Sequence, residues 1–254
     1  MSASYSFQCS ACGRCCNSAP ALSVDELFHH SARFVGCLAV RREAAGGVRL
    51  ATQGHDYPSL GACPARDAMG LCAIHDDRKP GMCGVVPLDP GLPQGMQAIV
   101  LARRHRESAF LDANCIVPGA RAGFAPLVDG ERIVDAAWLH AFDRYRAQLQ
   151  IDDERWGQSL LDWMRPELAR LPPSRAGGYL ALSLVPVLAV LGRASADWRE
   201  RGFAYASEQV ALIEANIARA LQRRHAPDRP FTEELRNFAS QYRQYLHGAQ
   251  RAAA

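Results

Sequence analysis

FQCSACGRCC, residues 7–16, sets cysteines at positions 9, 12, 15 and 16. How that run is read decides the fold, because thiols this dense either staple a chain through disulfides or bind metal. Cys15 and Cys16 are neighbours in sequence, so their side chains are expected to point apart and to be poorly placed to grip one small ion together. The run reads as one part of a larger site.

The rest of that site lies upstream of residue 116. The nine cysteines are Cys9, Cys12, Cys15, Cys16, Cys37, Cys63, Cys72, Cys83 and Cys115, and the last 139 of the 254 residues hold none. A chain of this length with 48% hydrophobic residues can bury a core without staples. The cysteine count is odd and a bridge between Cys15 and Cys16 would be strained. The start MSASYSF has neither the basic n-region nor the apolar h-region of a secretory signal, so a reducing, cytoplasmic setting is expected. These points disfavour a disulfide framework and favour thiolate ligation of metal.

Charge excludes another class. The formal net charge is +3, with 11 Arg/Lys against 10 Asp/Glu in residues 1–120 and 18 against 16 in the remainder. No basic face follows, and nucleic acid is not an expected partner. The apolar stretch YLALSLVPVLAVL, residues 179–191, contains Pro186 and is shorter than the roughly 20 residues a spanning helix needs. It is expected as a buried, kinked core helix, with no membrane span.

Around the cysteines the local signals are loops and caps. LSVDELFHH opens a helix expected from residue 24 to about 35, with Ser23 as N-cap, Glu26 as its reciprocal partner, and Leu22 with Leu27 as hydrophobic staple. Cys37, at the far end of that pattern, is expected as a buried small hydrophobe. The second cysteine group, CPARDAMGLCAIHDDRKPGMC at 63–83, is broken by Pro64, Gly70, Pro80 and Gly81. Pro80 and Gly81 suit the central positions of a type II turn that would present Cys83. Loops of this kind leave backbone amides free to support metal thiolates.

Spacing narrows the metal without choosing it. Structural zinc sites take paired CxxC knuckles, whereas CxxCxxC also begins the ferredoxin-type run of iron–sulfur proteins. Cys9, Cys12 and Cys15 can serve one centre and Cys16 a second, with Cys63, Cys72, Cys83 and Cys115 completing two four-cysteine sets. His75, three residues beyond Cys72, is expected to be a partly buried side chain rather than a ligand. His29 and His30, on the first helix, are expected as one exposed and one semi-buried side chain, and His55, His105, His140, His225 and His247 lack a clustered partner; solvated or structural roles are expected for all seven.

FQCSACGRCC, a following proline, LSVDEL, Cys63, CAIHDDRKPGMC and then PL together resemble the YkgJ-like cysteine-cluster proteins, which carry a CxxCxxCC signature and are described as zinc- or iron-chelating. The resemblance covers roughly residues 5–118 and implies Cys9, Cys12, Cys15, Cys16, Cys63, Cys72 and Cys83 as ligands, with Cys115 carried less directly. The family shares its motif with flagellin lysine-N-methylase, which implies an iron–sulfur-dependent protein lysine methyltransferase as an alternative activity. S-adenosylmethionine and a protein substrate enter only with that alternative. This chain departs from the pattern at Gly84, where the family has arginine, and at His75, where it has tyrosine; the interval from Cys72 to Cys83 is one residue longer.

The second half shows only architecture. RIVDAAWLHAFDRYRAQL aligns Val134, Trp138, Phe142, Tyr145 and Leu149 on one helical face. Trp156, Leu160, Met164 and Leu168 form a second stripe, with Pro166 marking a kink or break. Ala206, Val210, Ile213, Ile217 and Leu221 form a third, and a last helix is expected from Thr232 as N-cap to just before Gly248. PPSRAGG, residues 172–178, reads as the loop between helix pairs.

The expectation is a mainly α protein: a loop-rich cysteine-cluster metal-binding domain, residues 1–120, packed on an α-helical domain, residues 121–254. Its expected function is to bind zinc, iron or an iron–sulfur centre. A zinc-stapled interaction module, with the helices as binding surface, is the third reading. No catalytic acid, base or nucleophile stands out.

Overall fold

The computed structural model describes residues 3–9, 13–42, 47–106, 115–170 and 179–253. In chain order the strands are β1 (Ser4–Phe7), β2 (Val35–Arg42), β3 (Val48–His55), β4 (Ile116–Pro118), β5 (Ala125–Asp129), β6 (Arg132–Ile133) and β7 (Leu180–Ser183). The helices are α1 (Val24–His29), α2 (Gly81–Val85), α3 (Gln97–Arg106), α4 (Ala136–Asp152), α5 (Gln158–Leu168), α6 (Val185–Ala194), α7 (Ala196–Arg223) and α8 (Arg229–Ala253). The expectation of a mainly α protein is therefore corrected: the described residues hold two antiparallel sheets as well as helices, an α/β mixture.

Two compact units emerge, Met1–Pro20 with Ala65–Gln150, and Ala21–Pro64 with Ile151–Ala254. They differ from a cut at residue 120, because residues 21–64 group with the C-terminal helices.

The first unit is built on a sheet of order β4-β1-β5-β6. β1 lies at its middle, with Phe7 opposite Ile116 on one side and opposite Ala125 on the other. Phe7, Ile116, Leu127, Val128 and Ile133 from the sheet pack with Val85, Leu88, Leu101, Phe142 and Tyr145 from the helices and their flanks. The Phe7 and Trp138 rings meet edge to face at 5.5 Å, an arrangement that adds to what burial alone contributes.

The second unit is built on a sheet of order β3-β2-β7. β2 is its central strand, and Val35, Cys37, Leu38, Ala39 and Val40 are all buried. A strand covered on both faces reads as an unbroken apolar run, and so VGCLAV gave no alternation to find in the sequence. The capping box at Ser23 forms as expected, with Ser23 N donating to Glu26 Oε2 at 2.8 Å and Glu26 N donating to Ser23 Oγ at 3.3 Å. The helix it opens is corrected to six residues, and Cys37 sits on β2 rather than at a helix end.

Helices α6, α7 and α8 pack on one another, α7 against β2 and α8 against β7. Gly36 lets α7 approach closely: a Cβ there would stand 2.1 Å from Tyr205 Oη and 2.6 Å from Leu184 Cδ1. Gln209, fully buried, accepts from Gly36 N at 2.9 Å and donates to the carbonyls of Ser31 at 2.7 Å and Phe34 at 3.1 Å. It satisfies backbone that leaves α1 for β2, where an unpaired group would be costly.

Three further expectations are corrected here. The 179–191 segment is not one kinked helix: Leu180–Ser183 is β7, and Pro186 sits in the first turn of α6, where its missing N–H leaves no intrahelical bond unmade. α8 begins at Arg229, three residues before Thr232, and continues past Gly248; Thr232 Oγ1 instead donates back to the Asp228 carbonyl at 2.9 Å. Pro166 lies inside α5, and the irregularity falls upstream, in a π-helical turn over Asp153–Gly157. The 172–178 loop lies outside the described residues. No helix among the described residues is long and apolar enough to cross a membrane.

Candidate metal centre

Seven of the eight expected ligands lie among the described residues; six of those are carried by the first unit, each placed by a separate local device. β1 ends at Phe7, and Gln8 N extends its ladder by donating to the Cys115 carbonyl at 3.0 Å. Cys9, exposed, therefore leaves the sheet at the end where Cys115 enters it, and Cys115 is 5% exposed within the hydrophobic cluster. Cys12 lies outside the described residues.

From Gly13 the chain turns, with Cys16 N donating to the Gly13 carbonyl at 3.0 Å. Gly13 adopts φ of +67°, and a Cβ on it would stand 2.4 Å from Gly70 O and 3.2 Å from Arg66 Nε. The turn that carries Cys15 and Cys16 is thus seated against the 66–70 segment, backbone to backbone, through a residue that has to be glycine.

That segment is itself a closed loop. Ala73 N donates to the Ala65 carbonyl at 2.8 Å, and Arg66 and Cys72 pair across it in a single β-bridge. Inside, Asp67 Oδ1 accepts from Met69 N and Leu71 N, both at 2.9 Å, while Arg66 Nε donates to Gly70 O at 3.2 Å. Cys72 is consequently held half-buried at the loop's closing end. Arg66, Asp67 and Gly70 were not among the expected site residues. The signal for them was RDAMG, in which an Asp caps a turn that a Gly completes three residues later.

Cys83 rides on α2, half-buried, beside Met82 and Val85 of the core. The expected type II turn at Pro80–Gly81 is corrected: Pro80 is the N-cap of α2, Gly81 is its first residue, and Gly84 N donates to the Pro80 carbonyl at 3.1 Å. His75 is exposed rather than partly buried. Cys63 belongs to the second unit, where it is 8% exposed.

The thiols of Cys15 and Cys16 do not point apart. They share a side-chain hydrogen bond, which together with burial and the neighbouring thiolate pushes Cys15 up, while the charge of Lys79 works the other way. Lys79 is therefore within electrostatic range of Cys15. Among the described residues no three cysteine sulfurs lie within 4.8 Å of one another, and no disulfide joins two described cysteines. Cys37, on β2 with its thiol pushed up chiefly by burial, stands apart as a core residue. No family model, curated protein or solved structure matches the chain.

Proposed function

We propose that this chain is a thiolate metal-binding protein of the YkgJ-like kind, holding zinc, iron or an iron–sulfur centre through Cys9, Cys12, Cys15, Cys16, Cys63, Cys72, Cys83 and Cys115. The observation that carries the reading is the seating of Gly13 on Gly70. It joins the turn bearing Cys15 and Cys16 to the loop bearing Cys72, two cysteine groups more than fifty residues apart in sequence, with the charge of Lys79 in range of Cys15. A purely structural loop has no need of half-buried thiols on each of its converging strands of chain, whereas soft thiolates are what zinc and iron–sulfur clusters take. Thiolate ligation of this kind requires a reducing compartment, and the cytoplasm is the setting proposed.

Metal analysis of protein purified without oxygen tests this. The chain is expected to carry metal, with brown absorbance for iron–sulfur or a colourless protein with stoichiometric zinc. Cys15→Ser and Cys72→Ser are each expected to lower the metal content, because each removes a thiolate. Metal content unchanged in both variants would overturn the assignment.

A further inference from the structure

Within the second unit, and independent of the cysteines, a cavity of about 560 Å³ opens between the loop after β3 and one face of α7. Leu212, Ala215, Asn216, Arg219 and Arg223 line it from α7, at the spacing that places residues on one helical stripe. Arg33 enters from the turn before β2, and His55, Asp56, Tyr57 and Leu60 from the end of β3 and the loop beyond. The volume falls within the range of small-molecule sites.

Three guanidinium groups thus share one cavity with a single carboxylate, that of Asp56. Arg223 is held in place: it pairs with the buried Asp228 at 3.0 Å and lies over the Tyr57 ring at 5.1 Å. Arg219 is oriented from its own helix by donating to Asn216 Oδ1. The Arg33 side chain makes no hydrogen bond or ion pair with the described residues. Asp56 accepts from Tyr57 N at 2.7 Å, and burial raises its carboxyl against the influence of His55, Arg223 and Arg219. His55, 5% exposed, has Nε2 at 2.9 Å from Glu234 Oε2, in contact but out of line for a hydrogen bond. The lining therefore carries a positive excess beside the apolar surface of Tyr57, Leu60, Pro64 and Leu212.

We propose that this cavity binds a small organic anion, a carboxylate or phosphate ester gripped by Arg33 and Arg219, whose apolar body rests against Tyr57, Leu60 and Leu212. Guanidinium groups match both oxyanions through paired N–H donors. Arg223, already neutralised by Asp228, shapes the aromatic wall rather than supplying the free charge.

Calorimetric titration of the full chain with phenyl phosphate, benzoate and benzyl alcohol tests the proposal. Saturable binding of at least one anion is expected, with none for the uncharged alcohol at equal concentration; the preferred anion tells phosphate from carboxylate. Arg219→Gln and Arg33→Gln are each expected to weaken that binding roughly tenfold, while Arg243→Gln, outside the cavity, leaves it unchanged. Both cavity arginines are exposed, so the variants are expected to fold, and circular dichroism and melting temperature confirm it. The proposal is overturned if neither anion binds saturably, if benzyl alcohol binds as well as the anions, or if Arg219→Gln and Arg33→Gln both bind like the wild type.

Discussion

A methyl group at Gly13 would stand 2.4 Å from the Gly70 oxygen, on a backbone already at φ of +67°. Gly13→Ala is expected to cost about 1–2 kcal/mol for the left-handed conformation, and about 1–3 kcal/mol more for the overpacked contact. Because the clash separates the two cysteine loops, metal content is expected to fall with stability; elemental analysis beside denaturant melts checks both. Asp228 makes a second residue-scale case. Burial alone would raise its carboxyl, but hydrogen bonds from Ser59 and Arg223 outweigh that and hold it below the ordinary carboxylate range. A group lowered in the folded state stabilises above its unfolded pKa, near about 4, and that stability is lost as pH falls through the folded value. Asp228→Asn is therefore expected to be less stable at neutral pH and to show a flatter decline towards pH 3. An undiminished acid limb in the variant would remove Asp228 as its source.

Among the elements, β2 decides how the second unit holds together. Leu38 is wholly buried on this central strand, between β3 and β7. Leu38→Ala is expected to cost about 2–5 kcal/mol, measured by the shift in denaturant midpoint. Cys37, beside it, is expected to resist thiol reagents in the native protein and to react on unfolding, and Cys37→Ala is expected to keep its metal. What was legible in the sequence follows the same physics. The capping box at Ser23 was visible because its partners are three residues apart. The stripe of α4 was visible in part because helical periodicity is local: Phe142 and Tyr145 are buried as that stripe requires, whereas Val134 precedes the helix and Leu149 is exposed. β2 was not visible, since its pairing partners at 48–55 and 180–183 are distant and its apolar run imitates a helix. The same holds for LALS before Pro186, where strand and helix abut inside one apolar stretch. At the site, the thiols were legible from spacing. The glycine seat at Gly13 was not, because it is defined by backbone geometry across a chain separation of more than fifty residues; RDAMG marked the Asp67 turn but not what rests on it.

For the whole molecule, the composition of the two units changes what metal removal does. Within the second unit β2 pairs with β3 and with β7, and Gln209 of α7 ties Gly36 and Phe34. The loops at 13–16 and 66–73 rest on a few turns and a single bridge, so a bound metal would be coupled to their order. Chelation under reducing conditions is expected to leave amide protection in β2, α7 and α8 while stripping it from those loops, as hydrogen exchange resolved by segment checks. Loss of protection everywhere at once would show the chain to be one cooperative body. The most direct measurement remains the metal-to-protein ratio of the full chain purified without oxygen, wild type beside Cys72→Ser. At least one equivalent of zinc or iron in the wild type, and a clear loss in the variant, is the expected result. A wild-type protein that folds, melts cooperatively and carries no metal would contradict it.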